Sequence, residues 1–435
     1  MHFRTLFVVL GLGFLYVLGG SSAPLSAQGG GAFHGSSEDP AIAYSTAPLN
    51  NVVVDVNRKL LDGTIRLTFE GRSGYLRSAL EALELPVDSQ VLVFASDSLQ
   101  RRLINESNPR ALYFNDRAML GWVRDGTVIE VTAHDEREGI VFYTLAQTDD
   151  VRDGVPQFRR SFQCLGCHVT GDTLGVAGLL MFSMTRPSDP AASGLPSSTD
   201  QNTPLRQRFG GWYVTGSTGS APHMGNAAAA LDGRSTREVT SVEGLFDSDS
   251  YRARSSDIAA LLVLSHQTRM TNLLTRASWE ARAVDPTLHP PFVATPDAEA
   301  SIAAMMSGVA NEVVDYLLFI DEAKLTDRVR GSTGFAERFS TVGPRDRKGR
   351  SLHELDLNRR LMKYPCSYLI YSAAFDALPP AAKDPIYKRM WQVLSGEERD
   401  ARYRSALSLE DRRAIVEILR DTKKDLPPYF QNVTR

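Results

Sequence analysis

The sequence predicts an α+β protein, and three observations carry that expectation. Short β-prone runs separated by Asn, Asp and Gly turns fill residues 51–150. A middle segment, 151–254, is rich in Gly, Pro and aromatic residues and shows neither periodicity clearly. From residue 255 to 435 the apolar positions recur at helical spacing.

Taken in order, Met1 to Ala27 has one positive charge at Arg4, an apolar run from Leu6 to Leu18, and small residues ending at Ser26-Ala27. That pattern predicts a signal peptide cleaved after Ala27, because the run is short of the ~20 apolar residues a spanning helix needs. Residues 28–50, dense in Gly, Ser, Ala and Pro, read as a flexible lead-in. Strands are expected at Val52–Val54, Thr64–Phe69, Gln90–Ala95, Ala111–Phe114, Thr127–Thr132 and Gly139–Leu145, with a helix over Tyr75–Leu83. Arg124-Asp125-Gly126, between Leu120–Val123 and Thr127–Thr132, predicts a hairpin turn. In the last part Ser255-Ser256-Asp257 should cap a helix running to Arg282, with Leu262, Met270 and Leu273 on one stripe. Further helices are expected over 298–323, 350–363, 382–395 and 408–422, the last opening on a Ser408–Asp411 capping pattern.

Composition narrows the function classes. The 435 residues carry a net charge of −3, so there is no broad basic footprint and nucleic acid is a poor partner. No run after the leader is apolar for long enough to span a membrane, so no membrane span is expected in the mature chain. Of three cysteines two lie within four residues of each other, which cannot build a disulfide scaffold.

That pair forms Cys164-Leu-Gly-Cys167-His168. In Cys-x-x-Cys-His, two thiols add to the vinyl groups of a haem and the adjacent histidine lies beneath the iron. With 3 Cys and 8 His in 435 residues, a chance occurrence is expected roughly four times in ten thousand such sequences. Three other readings stay open: a thioredoxin-like dithiol, half of a zinc site, and a local disulfide.

Through Cys164, Cys167 and His168 the chain resembles the c-type cytochromes, and it is similar to large secreted bacterial monohaem cytochromes. The wider similarity includes Asn108–Asn115, Phe209–Tyr213, His223–Asn226 and Lys363–Ile370. It implies one covalent haem c held by Cys164 and Cys167, with His168 as proximal iron ligand, in the segment 151–254. It also implies a periplasmic or secreted location and periplasmic electron donor or acceptor proteins as partners.

A second axial ligand would make an electron-transfer centre, and an open position a peroxidase-like oxidoreductase. Met224 sits in a Pro- and Gly-flanked loop, placed as the methionine ligand is in small c-type cytochromes; His223 is its neighbour. His266 falls on the inward stripe of the helix over 257–282, while His289 and His353 are weaker candidates. Leu174, Val176, Leu179, Leu180, Met181 and Phe182 could line the haem or form a core strand. Arg159 and Arg160 could meet propionates or be a solvated turn, and Trp212 and Tyr213 could pack on the porphyrin edge or in a core. Cys366, among aromatics, reads as a buried inert thiol. The function expected is an exported electron-transfer cytochrome, with the open-site oxidoreductase as alternative and a haem-based sensor as a third reading.

Overall fold

Six short strands form one antiparallel meander in the computed structural model, which describes residues 31–95, 98–150, 154–184, 196–226, 239–285, 287–288 and 295–431. They are β1 (Val91–Val93), β2 (Arg110–Phe114), β3 (Ala118–Trp122), β4 (Val128–Asp135), β5 (Gly139–Ala146) and β6 (Arg159–Arg160), each paired with its neighbour in sequence. The β3–β4 turn forms as expected, with Asp125 at φ 59° and the Gly126 N–H donating to Val123 O. Strict alternation along β4 buries Ile129, Val131 and Ala133 on one face. That face joins Leu120, Trp122, Val141 and Tyr143 against two helices, α1 (Val52–Leu61) and α2 (Leu76–Ala82). The opposite face divides. Val91, Leu112 and Phe114 enter a large helical core, whereas Ile140 and Phe142 enter a small cluster with Phe33, Ile42, Tyr44 and Trp279. Arg110, Met119, Glu130 and Thr132 lie half-buried between them.

Past the sheet come a single helical turn, α3 (Leu165–His168), and a small ribbon of β7 (Phe182–Ser183) with β8 (Ser197–Ser198). The rest is helical: α4 (Ile258–Ala283), α5 (Pro296–Leu317), α6 (Phe335–Thr341), α7 (Ala373–Asp376), α8 (Pro380–Ser395), α9 (Ala401–Ala406) and α10 (Leu409–Thr422). The α+β class is therefore what the chain adopts. Asp257 caps α4 through the N–H groups of Ala259 and Ala260, and Ser408 and Asp411 form a reciprocal capping box on α10. Among the described residues no helix is long and apolar enough to cross a membrane.

Three expectations change. Val52–Val54 opens a helix, not a strand: Asn51 Oδ1 accepts from Val53 N–H and Val54 N–H, and Val53, Val56 and Leu60 face the sheet. Spacing of apolar residues outweighs the β-propensity of three valines. Thr64–Phe69 forms no strand. Residues 350–363 form turns rather than a helix, because Ser351 and Asp356 side chains accept from the backbone N–H groups of His353 and Asn358 and compete with helical bonds.

Residues 33–50, flexible by composition, are packed. Trp279 of α4 meets Phe33 and Tyr44 edge-on at 5.4 and 6.0 Å, and Arg282 donates to the carbonyls of Ala41 and Ile42. The expected signal peptide, 1–27, lies outside the described residues. Trp279→Ala removes the centre of this cluster, and a loss of about 3–5 kcal/mol in urea-unfolding free energy is expected.

Candidate functional site

The chain leaves the sheet at Ser161, whose N–H donates to Phe142 O at 2.8 Å. It then turns once into α3. The N–H groups of Cys167 and His168 both donate to Cys164 O, at 3.1 and 3.0 Å. Cys164, Leu165 and Val169 pack inward on the Phe142 and Trp279 cluster, while Gly166 and Cys167 face solvent. Cys164 and Cys167 are three residues apart on this turn, the first half-buried and the second exposed.

His168 is held at two points. Its ring lies 4.8 Å from that of Phe142, tilted by 53°. Its Nδ1 is 2.8 Å from Gly178 O, and Gly178 N–H returns to His168 O at 3.0 Å. A carbonyl only accepts, so Nδ1 carries a proton. This is the arrangement metal-bound histidines take, one nitrogen donating to a backbone carbonyl and the other directed to the metal.

The thiol environment bears on the redox-dithiol reading. Burial pushes the Cys164 thiol up, despite a contact to Ser161 Oγ at 3.7 Å. A redox dithiol needs the opposite shift, and the sheet beside it is antiparallel rather than βαβ. Among the described residues no three His, Cys, Asp or Glu side chains are placed to hold one ion. Haem asks for two thiols at a porphyrin edge and one imidazole at its centre, and Cys164, Cys167 and His168 are the residues that would supply them. The Arg110–Glu130 ion pair, across β2 and β4, lies close enough to act on the Cys164 thiol, with Arg110 Nε and Glu130 Oε1 buried and unpartnered.

The remaining expected residues have other contacts. His266 is fully buried, with Nδ1 2.5 Å from Gln201 Oε1 and Nε2 2.7 Å from Ser367 Oγ, stacked on Tyr316 and Phe319. Both nitrogens are engaged within the core. Nδ1 of His223 accepts from Gly225 N–H at 3.0 Å, which puts the proton on Nε2. Met224 Sδ accepts from Ser183 Oγ at 3.7 Å. His353 sits among Phe339, Tyr368 and Tyr371 in the core, not on a charged helix, and His289 lies outside the described residues.

Arg160 is committed to structure: it donates to Tyr44 O and Ser45 O and lies over the rings of Tyr44 and Phe162. Arg159 is exposed. Trp212 Nε1–H donates to Phe182 O, and Tyr213 lies with Phe94 and Phe246, so both are core aromatics in two different clusters. Leu174 and Met181 belong to the large core and Val176 and Leu179 to the small one. Cys366 is fully buried, and burial pushes its thiol up.

One residue was passed over. His134 is half-buried on the same face of the sheet as Phe142, and among the described residues no hydrogen bond reaches its ring. Alternation along 128–135 would have placed it there, opposite Ile129 and Val131. No protein-family model, no curated protein and no solved structure matches this chain.

Burial pushes His266 down to about 3 and His353 to about 4, from 6.5. The unfolded chain therefore binds these protons first, so the stability they hold is full above pH 6.5 and is lost as pH falls towards those values. Unfolding free energy should drop by up to about 1.4 kcal/mol per pH unit for each ring, and His266→Gln should remove one ring's share of the slope. Urea titrations of the parent and of His266→Gln from pH 7 to 4 check this; parallel profiles refute it.

Proposed function

We propose that this chain is an exported c-type cytochrome that carries one haem c and transfers electrons. Cys164 and Cys167 would hold the porphyrin through thioether bonds, and His168 would be the proximal ligand. The observation that carries the reading is the Nδ1 bond of His168 to Gly178 O, at the end of the turn that carries both cysteines. When bound, the haem supplies a centre that gains and loses one electron.

The protein's own groups have distinct tasks. Nδ1–H of His168 donates to Gly178 O, so Nε2 is the nitrogen that would face the iron. Phe142, Leu165 and Val169 exclude water from the inner side of the turn. Exposure of Cys167 leaves one edge of the site towards solvent, where a periplasmic donor or acceptor protein could approach. Export rests on the leader over residues 1–27, and the net charge of −3 argues against a nucleic-acid partner.

A second reading, a peroxidase-like oxidoreductase with an open sixth position, draws on one observation. Both nitrogens of His266 and Nδ1 of His223 are already bonded within the protein.

Coexpression with haem-attachment machinery should give one haem per chain that survives a denaturing gel. Cys164→Ser with Cys167→Ser should lose the stain, and each single variant should keep one thioether with a shifted pyridine haemochrome band. Stain retained by the double variant refutes covalent attachment at these cysteines. Carbon monoxide added to the reduced protein separates the two readings: an unmoved spectrum supports electron transfer, and a rapid shift supports the open site.

A further inference from the structure

We infer that Asn272 is the positioning residue for His168, acting through the peptide between Gly178 and Leu179; the inference rests on His168 being an iron ligand. Asn272 lies in mid-α4 and is 1% exposed. Its Oδ1 accepts from Leu179 N–H at 2.8 Å, and its Nδ2–H donates to Leu179 O at 2.8 Å. The first of these bonds is made to the same planar peptide unit whose carbonyl, Gly178 O, accepts from His168 Nδ1. A peptide plane has no internal freedom, so fixing its N–H also aims its C=O.

The result is an unbroken line of hydrogen bonds: Asn272 Oδ1 to Leu179 N–H, across the peptide to Gly178 O, and on to the His168 imidazole. Each bond in such a line polarises the next, with a strengthening of about 10–30% per bond. A stronger pull on the Nδ1 proton makes Nε2 a more basic ligand, and a more basic ligand favours oxidised iron. Contact at this point is close. A Cβ built on Gly178 would lie 2.5 Å from Asn272 Oδ1, so residue 178 must lack a side chain for the amide to reach the loop.

The site is thereby tied to the most buried helix of the protein rather than left to a surface turn. Asn272 does not touch the iron; it sets the orientation and basicity of the residue that would.

The test uses two variants that disturb the clamp from opposite sides, Asn272→Ala and Gly178→Ala. In the haem-loaded protein both should raise the reduction potential, with the haem still covalently attached. In full-length protein made without haem, nitrogen-15 spectra should show His168 as the Nδ1–H tautomer in the parent and as a mixture in both variants. Attached haem with an unchanged potential overturns the inference and leaves the haem reading intact, even if the variants are less stable. Absence of haem in the parent overturns the haem reading, and the tautomer spectra then decide the clamp alone. A tautomer unchanged in both variants overturns it.

Discussion

Helix α4 is buried on all sides, and a helix with no solvent face must be enclosed by the rest of the chain. The sheet supplies one wall through Val91, Leu112 and Phe114, α5 and α8 supply others, and the segment around Phe33 and Tyr44 closes the end at Trp279. Gly139, at φ 77°, marks how close the sheet comes: a Cβ there would collide with the Thr275 side chain.

Enclosure imposes a second constraint. Polar groups carried into the interior must be hydrogen-bonded, since a buried unpaired polar group costs about 1–3 kcal/mol. Several polar residues of α4 are satisfied by segments far away in the chain, whereas among the described residues Ser265 Oγ, Arg276 Nε and Trp279 Nε1 find no hydrogen-bond partner. His266 reaches Gln201 and Ser367; Gln267 reaches Asn115 O and Tyr368; Asn272 reaches Leu179. Arg282 gathers the carbonyls of Ala41, Ile42 and Arg137. One helix thus fixes the position of the N-terminal segment, the sheet edge and the loop that follows the cysteine motif. The reactive turn inherits its rigidity from that core, although Gly166 and Cys167 are exposed.

Much of the local architecture was legible because its causes are local. Asp257 caps α4, Ser408 and Asp411 box α10, and Asp125-Gly126 turns the β3–β4 hairpin, each through bonds spanning two to four residues. Segments with balanced local preferences were misread. Val52–Val54 has strand propensity and helical spacing, and the sheet face that receives Val53, Val56 and Leu60 decided between them. The 350–363 segment has helical spacing, but its Ser and Asp side chains captured the backbone first.

The cysteine motif was legible for the same reason as the caps: two thiols and an imidazole within five residues are brought together by one helical turn, whatever surrounds them. The fate of His266 was not. An inward position on a helix is a matter of spacing, but whether an inward imidazole meets a metal or meets Gln201 and Ser367 depends on residues 65 and 101 positions away. The same holds for Asn272 and Gly178, 94 positions apart (272 − 178), whose contact requires the sheet and α4 to be assembled first. By itself the sequence determined the α+β class, the caps and the hairpin, because short-range spacing specifies them. Tertiary structure alone decided which buried polar groups pair, because those partners are brought together only when α4 is enclosed.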